Sequence, residues 1–275
     1  WVPNYSRWSL YTNNHPQASA VAQINDSWQD TIHDERKMDK YTEAELVMKQ
    51  LQKPNADFLL DSSSIKYVFV PLIDTANDDD FFKYYGKNRD YYLNELKGLP
   101  YLKQINVGTN DIVAFENKNY LSHISATTQK LQFNKAFGNV LKTNDRFINA
   151  SEYKVTLQDV KDPLYLHFSE SYHPQWKLRV GEFNWFSVLT QANYFLSDTA
   201  HFKNEAYLNS YIINPKEICQ TYTCVVNKDG SYDIELTLYF KPQSYTYFGG
   251  IISLLSLIAV TLIILYKFIP NKHKK

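Results

Sequence analysis

Apolar positions in the first 40 residues follow no period: Asn, Ser, His and Gln are frequent, and WVPNYSRWSLY suits a strand or an extended lead-in. Regularity begins at Thr42–Gln52 (TEAELVMKQLQ). Thr42 and Glu45 have capping-box spacing, Leu46, Val47 and Leu51 form a helical stripe, and Pro54 follows, so a helix is expected. Ile65–Leu72 (IKYVFVPL) has the composition of a buried strand, bounded by serines and Pro71. Asp90–Leu99 returns to a helical pattern and stops near Gly98 and Pro100. Leu102–Val107, the turn Gly108-Thr109-Asn110 and Ile112–Glu116 then predict a hairpin.

After Tyr120 the period changes to two. Tyr153–Leu157, Leu164–Ser169, Lys177–Val180, Tyr194–Leu196, Thr223–Val226 and Tyr232–Phe240 alternate or are rich in β-formers. Lys161-Asp162-Pro163 and Asp229-Gly230 supply turns between them. Strands without intervening helices predict an antiparallel, jelly-roll-like β-sandwich. The pattern then changes once more. No charge occurs from Pro242 to Tyr266, and Phe248–Tyr266 (FGGIISLLSLIAVTLIILY) is almost wholly apolar. At about 1.5 Å per residue this run matches a hydrocarbon core of roughly 30 Å. Tyr245, Tyr247 and Phe248 at one end and Tyr266 at the other fit the aromatic belts of a transmembrane helix. Gly249, Gly250, Ser253 and Ser256 would let a neighbouring membrane helix pack closely.

The expected class is therefore α+β: a small α/β unit, an antiparallel β-sandwich and one C-terminal transmembrane helix. The divisions are residues 1–120, an α/β domain with an irregular N-terminal segment; 121–241, the sandwich; 242–269, the membrane helix; and 270–275, a basic tail.

Charge adds an orientation. Lys267, Lys272, Lys274 and Lys275 follow the apolar run with no acid among them, and Lys241 is the nearest cation before it. The positive-inside rule places the tail in the cytoplasm and residues 1–241 outside the cell membrane. The chain carries 29 basic and 29 acidic residues; with four lysines in the tail, the outer part is mildly acidic, which argues against nucleic-acid binding. Trp1-Val2-Pro3 shows no signal-peptide pattern, so a removed signal or preceding membrane helices are expected to export the domain.

Candidate chemistry is sparse. There is no GxSxG, HExxH, Walker or GxGxxG motif, and nothing implies a cofactor. The acidic loop Asp74–Asp80 lacks the alternating ligand spacing of a calcium loop and suits a solvated turn. Cys219 and Cys224, in ICQTYTC, favour a disulfide outside the cytoplasm; a metal would need further ligands nearby. Asn4, Asn25 and Asn149 head N-glycosylation triplets. His167 and His173 are six apart, so an extended strand would set them on one face with Glu170 close by, a possible metal or acid/base site and the basis for a hydrolase reading. Aromatic faces with a few polar groups hold sugars. Tyr172, His173, Trp176 and Trp185 are on that ground the candidate ligand residues, bordering a shallow glycan or partner surface near a turn at Pro174; ordinary packing of the same aromatics is the alternative.

The string Phe168–Lys177 (FSESYHPQWK) resembles the "FSESYHPGWK" element in the extracytoplasmic C-terminal region of bacterial and archaeal GT-C-like membrane glycosyltransferases and YfhO-like membrane proteins, with Gln175 in place of the usual Gly. KYVFVP at Lys66–Pro71, LPYLKQI with IVAFEN over Leu99–Asn117, HFKNEAYLNSYIINP at His201–Pro215 and the final YDIELTLYFKPQ are similar to elements of the same region, in the same order. In the third of these Asn209-Ser210-Tyr211 replaces the usual Asn-Gly-Trp. The resemblance implies a piece of a longer protein, whose catalytic acid and polyprenyl-phosphate-sugar chemistry belong to membrane helices upstream. It implies that this part is non-catalytic and binds or positions a glycan acceptor. The partners implied are the lipid bilayer, a glycan or polyprenyl-linked saccharide, and the neighbouring membrane helices. The other expectation is an anchored interaction or scaffolding module without transferase activity.

Overall fold

The computed structural model describes residues 56–71, 89–110, 112–132, 135, 137–192 and 194–268. The expected helix Thr42–Gln52, the acidic loop Asp74–Asp80 and the basic tail lie outside the described residues.

The α/β part opens with α1 (Ala56–Ser62), which closes at Ser64, held in the left-handed region at φ 60°. Ile65 N–H returns to the Leu60 carbonyl there, satisfying one of the free carbonyls at the helix end. β1 (Tyr67–Pro71), α2 (Arg89–Lys97), β2 (Leu102–Ile105) and β3 (Ile112–Asn117) follow. The three strands make an antiparallel sheet ordered β1-β3-β2, so the expected hairpin is present and β1 lies on the other side of β3. Asn117 Nδ2 bridges Asp61 Oδ1 and the Ile65 carbonyl, tying the end of β3 to α1.

Two five-stranded antiparallel sheets form the sandwich. One comprises β4 (Ile124–Thr127), β5 (Val140–Leu141), β8 (Leu164–Ser171), β10 (His201–Lys203) and β11 (Leu208–Ile213), ordered β10-β11-β8-β4-β5. The other contains β6 (Thr143–Asn149), β7 (Glu152–Val160), β9 (Trp176–Val180), β12 (Val225–Val226) and β13 (Tyr232–Phe240), with β12 and β9 both on the edge of β13 away from β7. Alternation decides the faces. Val155 and Leu157 of β7, Leu164, Leu166 and Phe168 of β8, and Ile234, Leu236 and Leu238 of β13 point into one shared core. Each buried side chain of this size contributes about 1.5–3 kcal/mol relative to exposure.

Two expected strands change. Tyr194–Leu196 is a loop: only Leu196 N–H reaches a strand, at the Leu178 carbonyl, and Arg179 Nη1 takes the Tyr194 carbonyl. Thr223–Val226 keeps only Val225–Val226 as strand. Two short helices, α3 (Ser187–Thr190) and α4 (Pro215–Thr221), complete the body. Cys219 and Cys224 sit at disulfide distance across the end of α4, with Cα atoms 5.4 Å apart.

Part of the outer face of the first sheet is covered by the α/β part. Phe58 of α1 packs with Leu121, Leu131, Ala206 and Leu208, and Ser169 Oγ donates to the Ser62 carbonyl. Lys241 separates β13 from α5 (Pro242–Phe268). Its segment Pro242–Tyr266 is long and apolar enough to cross a membrane, and none of its most apolar window is covered by the other described residues.

Candidate functional site

The two strings FSESYHPQWK and HFKNEAYLNSYIINP meet in space. β8 and β11 pair from Leu164–Ile213 to Phe168–Asn209, and then the register slips so that Leu208 faces Ser171. This bulge in β8 turns two carbonyls toward Asn209, in the way bulges re-aim groups at sheet ends. Asn209 Nδ2 donates to the Glu170 and Ser171 carbonyls, and its Oδ1 accepts from His173 N–H and His201 Nε2. Asn209 is fully buried, and both ends of its amide are used.

That assignment sets the His201 tautomer. With Asn209 Oδ1 as acceptor, His201 carries its proton on Nε2 and keeps the Nδ1 lone pair. Its ring is stacked on Tyr211, 4.4 Å between centroids and 9° between planes, with Tyr172 on another side at 5.0 Å. Burial, assisted by the Lys177 charge, pushes the His201 pKa below the usual histidine range despite the Asn209 bond. Lys177 reaches Asp198 at 2.5 Å; the lysine side chain is only 12% exposed, the aspartate largely open. Asp198 begins a 3-10 turn (Asp198–Ala200) capped by Ser197 Oγ, which leads directly into His201.

Beneath this cluster is an unsatisfied group. The Tyr211 hydroxyl is fully buried and has no hydrogen-bond partner among the described residues; burial, and then the nearby Tyr172 and Asp198, disfavour its ionisation. Leaving a buried hydroxyl unpaired costs about 1–3 kcal/mol, so such a group calls for an explanation. The hairpin carrying it is also constrained: Tyr207 is held at φ 59°, a left-handed conformation costly for a residue with a Cβ. Its carbonyl accepts from Tyr172 N–H.

Of the four residues singled out from sequence, Tyr172 and His173 belong to this cluster. Tyr172 is half-buried and His173 exposed, with its Nδ1 accepting from Gln175 N–H. Trp176 points the other way, into the sandwich, 8% exposed and edge-to-face on Phe168 at 4.8 Å. Trp185 is half-buried on the outer face of the second sheet, its ring 5.5 Å from Tyr247 of α5. The structure thus gathers Tyr172, His173, Lys177, Asp198, His201 and Tyr211 and separates Trp176 and Trp185 from them. His201, Asn209 and Tyr211 were inside a recognisable string, but only the bulged register reveals that they face Tyr172.

The grouping of His167, His173 and Glu170 that an extended strand would allow is not formed. β8 ends at Ser171, so His173 lies in a turn beyond it. His167 is on the outer face, between Thr127 and Ser210, whereas Glu170 pairs with His123 at 3.0 Å. Among the described residues no three His, Cys, Asp or Glu side chains converge on a metal position.

The site lies at the end of the sandwich from which α5 leaves. His173 packs on Phe240, the last residue of β13, at 5.2 Å, and Lys241 N–H donates to the Gln175 carbonyl. No protein-family model, curated protein or solved structure matches the chain.

Proposed function

We propose that this chain is the membrane-anchored, non-catalytic module of a polyprenyl-phosphate-sugar-dependent membrane glycosyltransferase, and that its Tyr172–His201 rim binds or positions the glycan acceptor, a polyprenyl-linked saccharide. The observation that carries the binding reading is the half-buried Tyr172 ring set beside His201, which is itself stacked on Tyr211, with the Lys177–Asp198 pair alongside. A half-buried aromatic face with convergent polar groups, here Tyr172 with His201, Lys177 and Asp198, suits a ligand that presents both apolar faces and hydroxyls, as a sugar does. The neighbouring start of α5 would bring a lipid-linked sugar to the same level as this rim. Transferase membership rests on the resemblance of the strings Phe168–Lys177 and His201–Pro215.

The test is titration of the full chain in nanodiscs with a polyprenyl-linked saccharide. Tyr172→Ala and His201→Ala should each weaken binding about tenfold, while melting temperatures stay within a few degrees of the parent. Absence of binding by the parent chain at millimolar ligand overturns the proposal.

A second reading has its own support. Val140, Phe147 and Ile148 are exposed along the β5–β6 side of the sandwich, a surface suited to a protein partner. If Phe147→Asp dissolves a complex seen in the native membrane and no sugar binds, the interaction-module reading replaces the first.

A further inference from the structure

The second cluster on the sandwich, around Trp185, is separate from the rim. From Gly181 the chain crosses the outer face of the second sheet, where Phe183, Val188, Tyr194 and Phe195 pack about Tyr239. Asn184 Oδ1 accepts from Phe186 N–H and shapes the turn into α3. Ser244 Oγ, in the first turns of α5, donates to the Trp185 carbonyl and is itself bonded to the Tyr239 hydroxyl at 2.9 Å. Trp185 therefore sits clamped between Tyr247 and Phe186, with ring separations of 5.5 and 5.8 Å. Phe186 remains 50% exposed, and Tyr245, Tyr247 and Phe248 in the first turns of α5 are exposed as well.

Position along α5 says what covers this patch. Ser244 and Tyr247 precede Phe248 by about 6 and 1.5 Å along the helix axis. If the apolar run from Phe248 is the hydrocarbon span, the Trp185–Phe186 turn stands at the boundary between acyl chains and headgroups. That is the level at which Trp and Tyr rings partition. Phe183–Thr190 contains no charged residue, so the patch has no electrostatic claim on acidic lipids.

We infer that the turn Trp185–Phe186 inserts into the uncharged interfacial layer of the bilayer and, clamped to Ser244 and Tyr247, fixes the sandwich at one orientation on the membrane. The inference rests on the membrane-anchored reading of α5 and deepens it. The helix is the tether, and the turn is a second, peripheral contact that keeps the rim facing the lipid surface.

The full chain in phosphatidylcholine nanodiscs tests this. A spin label is placed at Phe186→Cys, at Ile258→Cys in mid-helix, and at Val226→Cys on β12, with the oxidised unsubstituted chain as blank. Val226 pairs with Tyr232, at the far end of β13 from Phe240, about 25 Å away along the strand. The label at 186 should be protected from a water-soluble nickel reagent about tenfold relative to 226, and should show oxygen contact between those of 226 and 258. If 186 is as nickel-accessible as 226 while 258 is protected, the turn is in water and the inference fails with the anchor intact. If 258 is also nickel-accessible, the anchor reading fails and the inference with it. A measurement on the native ring guards against perturbation by the label. Brominated phosphatidylcholine should quench the emission lost in Trp185→Phe, and unquenched Trp185 emission overturns the inference.

Discussion

Burial pushes the His167 imidazole down to about 3, and its neighbours explain how it stays neutral. Thr127 Oγ1 donates to the Gln129 carbonyl, so it accepts from His167 Nε2; in the neutral ring Nδ1 is then the acceptor, and Ser210 Oγ, which also accepts from Asn204 Nδ2, donates to it. The unfolded chain takes up this proton near 6.5, the folded chain only near 3. Stability from His167 is therefore present above pH 6.5 and lost as pH falls toward 3. Asp61 acts in the opposite direction. Burial raises its carboxyl from 3.8 to about 6, so its contribution is complete below 3.8 and lost as pH rises through 6. Between these limits the two slopes oppose each other. In Asp61→Asn the unfolding constant should rise about tenfold per unit as pH falls from 6 to 4, more steeply than in the parent, by urea denaturation at several pH values. Equal slopes would mean that Asp61 titrates as an ordinary carboxylate.

Asn209 and Trp176 give the other residue-scale outcomes. Asn209→Ala leaves the half-buried Glu170 and Ser171 carbonyls without their donor and should cost about 1–3 kcal/mol in chemical denaturation. Trp176→Ala removes a ring packed on Phe168, Tyr153 and Phe240 and should cost about 3–5 kcal/mol. A loss under about 1 kcal/mol for Trp176→Ala would contradict its place in the core.

At the scale of elements, legibility followed simplicity of surroundings. β13 is the strand expected at Tyr232–Phe240, because one face meets the core along its length and the alternation shows it. β11 was not expected: Asn209 and Ser210 interrupt its apolar run, and their burial is affordable only because Glu170, Ser171, His173, His201, His167 and Asn204 answer their polar atoms. β6 (TNDRFIN) is an exposed edge strand with a mostly polar sequence and little core signal. α4 had a readable start, Asn214 before Pro215, that the β-pattern around it obscured. Its C-terminal cysteines belong to this scale as well. Their short loop predicts that Cys219→Ser with Cys224→Ser costs about 2 kcal/mol, and that intact mass after thiol blocking shows no blocked thiol until the exported chain is reduced. Two blocked thiols without reduction would refute the bridge.

The whole molecule sets two readings side by side: a helix able to cross a membrane, and a polar aromatic rim at the sandwich end beside it. Periodicity and the apolar run made the first legible. The rim was legible only in part, since Tyr172 and His173 are local in sequence but His201, Asn209 and Tyr211 arrive through a bulged pairing that no local pattern announces. The lysines after Tyr266 predict that a reporter functional only in the cytoplasm will be active when fused to Lys275; activity of an external reporter there would reverse the orientation. The central claim, that the rim holds a lipid-linked glycan, is tested most directly by a polyprenyl-phosphate sugar carrying a photoreactive group on the sugar, incubated with the full chain in nanodiscs and mapped by peptide mass after irradiation. The account predicts crosslinks within 170–177 and 198–211, competed away by unlabelled ligand and reduced in Tyr172→Ala. Crosslinks confined to the β5–β6 side or to α5, or none that compete, would contradict it.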